Sequence, residues 1–124
     1  MSLREVLERL DESGELLHVR RPVSTRFEIP AILKKLDPRP VLFHEVKKAP
    51  GFKLLGNLCA DRRIIARSLG TSERDLLRKL LDAIENPRRG EVVENPPCQE
   101  VVIDDPDLRK LPLLVFGERD GGPY

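Results

Sequence analysis

Apolar residues recur with two alternating periods through the first 86 positions. Leu3, Val6, Leu7 and Leu10 return every three or four residues, the spacing of one helical face, with Ser2 at the N-cap, Glu5 three residues on and Gly14 as the stop. This predicts a helix over about 3–12. In "ELLHVRR" the period changes to two: Leu17 and Val19 share one face, Leu16, His18 and Arg20 the other, and Pro22, which cannot donate to a ladder, sets the strand at a sheet margin. "STRFEIPAILKKL" returns to the helical period, with Ile29, Ile32, Leu33 and Leu36 on one stripe, Thr25 and Glu28 as a second capping box and Pro30 in the first turn. "VLFHEV" (41–46) and "KLLGNL" (53–58) read as strands joined in a hairpin through "KKAPGF". Asp61 caps "RRIIARSL", which Gly70 ends, and Thr71 or Ser72 opens a longer helix whose stripe is Leu76, Leu77, Leu80, Leu81 and Ile84.

Beyond Asn86 the texture changes. Pro87, Pro96, Pro97, Pro106, Pro112 and Pro123 punctuate short β-type runs at 92–93, 99–103 and 113–116. Proline-rich extended segments lie across a neighbouring domain or join two domains, because proline lowers the entropy lost in staying extended. The expected fold is therefore α/β (α+β): a small mixed sheet flanked by about four helices, with a Pro-rich extended C-terminal arm. Residues 1–88 form the helix-strand platform and 89–124 the arm.

Composition narrows the partners. A chain of 124 residues buries roughly 65% of its unfolded surface, enough for one core. The 22 basic and 21 acidic residues nearly cancel, so no global field concentrates a polyanion, and the paired Arg and Lys residues lack interleaved aromatics; nucleic acid is not an expected partner. "LPLLVF" at 111–116 is far short of the roughly 20 apolar residues of a spanning helix, so no membrane partner is expected either. Cys59 and Cys98 lack a second ligand at metal-site spacing and are expected to be reduced thiols of a cytoplasmic protein. One Gln, one Met, three Asn and dense Arg and Glu resemble a heat-adapted composition.

Candidate chemistry is sparse. His18 and His44, the only imidazoles, stand on predicted strands without a nucleophile or carboxylate at motif spacing, and both read as ordinary surface or half-buried residues. "HEV" at 44–46 fails the zincin pattern because residue 48 is Lys. Gly56-Asn57 reads as a turn or bulge in preference to a ligand contact. In "FGERDGGPY", Glu118, Arg119 and Asp120 flank a Gly-Gly pair that permits positive φ, the build of a loop that meets a partner or of a solvated terminus.

The ordered series "SLREVLERLDESGELLHVRRPV", "FEIPAILKKLDPRPVLFHEV", "KLLGNL", "NPPCQEVVIDDPDLRKLPL" and "DGGPY" resembles the N-terminal region of the UbiD family of carboxy-lyases over essentially the whole chain. The resemblance implies a reversible non-oxidative decarboxylase of unsaturated or aromatic carboxylic acids, with prenylated flavin mononucleotide as electron sink, a divalent metal (Mn or Mg) and potassium. The heat-adapted composition favours an archaeal member acting on phosphorylated anhydromevalonate. The family's metal, flavin-phosphate and catalytic residues belong to a larger split-barrel domain that starts at or after the stretch matching "GGPY". No catalytic, cofactor-binding or metal-ligating residue is therefore transferred to this chain, and Glu118, Arg119 and Asp120 are not substitutes for the family's Glu-Arg-Glu set.

The resemblance implies an N-terminal structural and oligomerisation domain, not catalytic alone, whose partner is a flavin-binding domain of the same or a separate chain. In the alternative reading it is an independently encoded non-catalytic subunit that completes or regulates such a chain. Free apolar residues of the arm predict self-association into a homo-oligomer.

Overall fold

Local signals build the first helix. The computed structural model describes residues 2–90 and 92–123. In α1 (Leu3–Glu12) the Ser2 hydroxyl accepts the Glu5 N–H at 3.3 Å and the Glu5 carboxylate accepts the Ser2 N–H at 3.2 Å, the expected capping box. Gly14 turns the chain away with φ +70°, a region that L side chains rarely adopt.

Three short strands follow the predicted positions: β1 (Leu17–Val19), β2 (Val41–Phe43) and β3 (Leu54–Gly56), in spatial order β1-β2-β3. β1 lies at the margin and runs parallel to β2 with Leu17 opposite Val41; β3 runs antiparallel to β2 with Leu54 opposite Phe43. The sheet is thus mixed. Because side chains alternate across a strand, it divides the molecule into two apolar layers. Leu17, Val19, Val41, Phe43 and Leu54 meet Ile29 and Leu33 of α2 (Glu28–Leu36), the crossover between β1 and β2. On the other face Leu16, Leu42 and Leu55 meet Leu10 of α1 and Ile64 of α3 (Arg62–Ser68). Asp61 caps α3 by accepting the Arg63 N–H at 2.8 Å.

Four expectations are corrected. Thr25 does not cap α2. The helix begins after Phe27, which has φ +65° and makes no side-chain cap, while Glu28 accepts the Ser24 N–H at 2.8 Å and pairs with Arg21 at 2.6 Å. Those partners, the Ser24 N–H foremost, hold the Glu28 carboxyl below its ordinary pKa. The later start of the helix goes with a long-range contact: the Phe27 N–H donates to the Val115 carbonyl at 3.0 Å and the Val115 N–H to the Thr25 carbonyl at 3.1 Å.

The strands after Arg39 are shorter than 41–46 and 53–58. Past Phe43 the chain bends, with Lys48 at φ +66°; the His44 N–H still donates to the Val19 carbonyl, and Val46 forms an isolated parallel bridge to Val23. Likewise, α4 spans Leu76–Glu85, starting later than Thr71 or Ser72. The Ser72 hydroxyl and carbonyl both accept the Asp75 N–H at 3.2 Å, making a separate tight turn, and the helical ladder starts at Asp75.

The run at 92–93 is not a strand, and neither is 99–103; among the described residues around them lie single 3₁₀ turns, Pro97–Gln99 and Leu108–Lys110. Within 113–116, Val115 bridges Arg26 and Leu114 packs against the α2 layer. Val92, Val101, Val102, Ile103 and Leu108 are exposed.

Candidate functional site

Two stretches singled out from the sequence converge on one groove. Phe27, Pro30, Ala31, Leu33 and Lys34 of α2 and its entry, Asn57 after β3, and Phe116, Gly117 and Glu118 line an open, mainly apolar cavity of about 940 Å³. Gly56 and Asn57 are structural there. A Cβ on Gly56 would collide with the methyl carbons of Leu33, so the strand approaches α2 as only glycine permits. Asn57, at φ +58°, donates its side-chain N–H to the Leu33 carbonyl at 2.8 Å, satisfying an acceptor near the C-terminal end of α2.

The charged loop is ordered by its own carboxylate. Asp120 accepts the N–H of Phe116 at 2.9 Å and of Gly117 at 2.6 Å, so its role is to close the turn. Glu118 lines the groove mouth, whereas Arg119 does not line it. Tyr124, the last residue of "GGPY", lies outside the described residues.

A second cluster joins residues that spacing alone left apart. His18 Nδ1 and His44 Nε2 are 2.8 Å apart, their rings offset-stacked with centroids at 5.1 Å, and His18 Nε2 is 3.0 Å from the Asp11 carboxylate. A proton on His18 Nε2 satisfies Asp11 and leaves Nδ1 to accept from His44 Nε2–H. Desolvation, with the charges of Arg20, His18 and Lys53, pushes His44 below the ordinary imidazole pKa against the opposing pull of Asp11. The available signal was strand parity: His18 pairs with Leu42, which places His44 diagonally across on the same face.

Neither place has the donor set of a flavin-phosphate or metal site. Among the described residues no three His, Cys, Asp or Glu side chains come together as metal ligands. Nor does the start of α2 offer free amides to a phosphate: the N–H groups of Phe27, Glu28 and Ile29 are taken by Val115, Arg26 and Ser24 carbonyls, and Pro30 has none. Cys59 and Cys98 are free and exposed.

Residues 7–84 match the family profile described as the 3-octaprenyl-4-hydroxybenzoate carboxy-lyase N-terminal domain, UbiD_N. The chain belongs to the UbiD family. It is 39% identical over its whole length to the anhydromevalonate phosphate decarboxylase of Methanosarcina mazei, covering 28% of that protein. The anhydromevalonate phosphate decarboxylase of Methanothermobacter thermautotrophicus is 32% identical over 98% of the chain, which again covers 28% of the relative. Among solved structures, the UbiD-class enzyme HmfF from Pelotomaculum thermopropionicum in complex with FMN superposes with a TM-score of 0.91 at 34% identity, over 99% of this chain and 28% of that one. An evolved dimeric form of HmfF in complex with prFMN gives 0.90 at 35% identity, over 98% of this chain and 30% of that one. The chain thus spans under a third of the length of these UbiD-class relatives, and its α/β fold is their N-terminal one.

Proposed function

We propose that this chain is the structural and oligomer-contact domain of a decarboxylase, inert in turnover by itself. Its activity class is reversible, non-oxidative loss of carbon dioxide from an unsaturated or aromatic carboxylic acid, with phosphorylated anhydromevalonate as the substrate. The observation that carries this reading is the identity of 39% along the entire chain to a protein more than three times as long. In this reading the prenylated flavin, the divalent metal and potassium are held by a flavin-binding domain, the partner of this one; that this chain covers 28% of the relative supports such a separate domain. No catalytic residue is assigned here.

Within the chain, residues 1–88 serve as the platform and 89–124 as the arm that lies on that partner; the exposed valines at 92, 101 and 102 support the division. Two free exposed thiols favour a reducing, cytoplasmic setting. Among the described residues no helix is long and apolar enough to cross a membrane.

The test is a chimera in which this chain replaces the matching N-terminal part of the M. mazei decarboxylase. Decarboxylation of anhydromevalonate phosphate by the flavin-loaded chimera, with none by the 124-residue chain alone, is the expected result. Turnover by the chain alone, or a folded and flavin-loaded chimera without turnover, would overturn the reading.

A further inference from the structure

A cleft between α1 and α3 lies apart from both places described above. It encloses about 520 Å³ and opens on the second apolar layer, so that Leu10 and Ile64, each 4% exposed, form its floor with Val6 beside them. Its rim carries Arg9 and Ser13 of α1, Glu15, and Arg67, Ser68 and Thr71 from α3 and the turn that follows. An apolar concavity with a few convergent polar groups is the general form of a small-molecule site.

The polar groups left free in this cleft are chiefly donors. Carbonyls at the two helix ends are taken by the chain's own amides: those of Arg9 and Leu10 by Ser13, Glu15 and Leu16, and those of Ile65, Ala66 and Arg67 by Leu69, Gly70 and Thr71. The same bonds blunt the partial negative charge of each helix end. The Glu15 carboxylate is occupied too, accepting from the Ser13 hydroxyl and from one terminal nitrogen of Arg67, each at 2.8 Å. Arg67 gives only that nitrogen to Glu15, and Arg9 has no salt-bridge partner among the described residues. Two guanidinium groups against one carboxylate leave a positive charge beside an apolar floor.

We propose that this cleft binds a small amphipathic organic acid, its carboxylate received by Arg9 and the free side of Arg67 and its hydrocarbon body laid on Val6, Leu10 and Ile64. The planar guanidinium fork matches a carboxylate. A phosphate head is less well served, because the helices turn their C-terminal ends to the cleft and present no free N–H groups.

The site is independent of the structural role proposed above, and its test reads binding without turnover. The isotope-labelled 124-residue chain is titrated by NMR with octanoate and, in parallel, with octylamine and octanol, which keep the tail and change the head. Octanoate is expected to saturate with a dissociation constant on the order of a millimolar, moving the amide signals of Val6, Ser13, Ser68 and Thr71. Octylamine and octanol are expected to bind at least about tenfold more weakly. Arg9 is exposed, so Arg9→Gln should leave the circular dichroism spectrum unchanged while weakening octanoate about tenfold, and Arg9→Glu should weaken it further. Octylamine or octanol binding as tightly as octanoate would overturn the proposal, since the head would then not be read. So would full octanoate affinity in Arg9→Glu, signals that move instead along α4 or at the Phe27 groove, or no saturable binding.

Discussion

β2 and α4 carry equally clear apolar patterns and end in opposite environments. Val41 and Phe43 are fully buried between α2 and the sheet, while Leu77 and Ile84 stand in solvent two turns apart on one helix. The difference teaches that periodicity states which face must be covered and is silent about whether the cover lies in the same chain. For β2 the cover is α2, supplied by residues only a few positions upstream. For α4 none of the described residues supplies one.

This contrast can be broken experimentally, beginning with its buried side. Phe43→Ala empties the centre of the α2 layer and should cost about 3–5 kcal/mol in urea unfolding, enough to leave the chain close to unfolding at 37 °C. A loss below 1 kcal/mol would mean that the layer is not the main core. Gly56→Ala should cost about 1–3 kcal/mol, because Leu33 must move to admit the methyl group. Pairing it with Leu33→Ala should recover part of that loss, and strictly additive losses would refute the contact as its cause.

The histidine pair gives a smaller, pH-dependent effect. His44 has a folded-state pKa below its unfolded value, so the folded chain binds fewer protons there. Its contribution is fully present above the unfolded imidazole value of about 6.5 and is lost as pH falls through the lower folded value. The urea midpoint should therefore decline on acidification below that point, and His44→Gln, which keeps an N–H donor toward His18, should flatten the decline. Equal slopes in both proteins would assign the pH effect elsewhere. At the exposed extreme, Val102→Ser should shift stability by less than about 0.5 kcal/mol; a larger loss would reveal packing of the arm.

How much was legible follows the same division between near and far. The capping box of α1 and the Asp61 cap of α3 needed only neighbours three or fewer residues away, and both are present as read. The sheet margin at β1 and the hairpin of β2 with β3 also followed from parity and turn chemistry. The cap of α2 did not, because Val115 arrives from the other end of the chain to bond the Phe27 N–H and the Thr25 carbonyl, and the helix starts after Phe27 instead of after Thr25. At the candidate site, Gly56-Asn57 was legible as structure, and its placement beside Phe116 and Glu118 was not. His18 and His44 were each legible only as ordinary surface or half-buried residues, and their mutual bond requires the parallel register of β1 with β2, which no local spacing encodes.

The clasp between Val115 and the entry of α2 has a consequence for whatever is joined to the chain after Pro123. The two hydrogen bonds hold residue 115 beside the groove of Phe27 and Leu33, so an attached segment begins only a few residues from that groove. Docking there is then an intramolecular event, driven by an effective concentration on the order of millimolar, where the same segment added free would have to compete at its own, far lower concentration. On such a tether, a segment whose dissociation constant for the groove is about a millimolar would fill it half of the time.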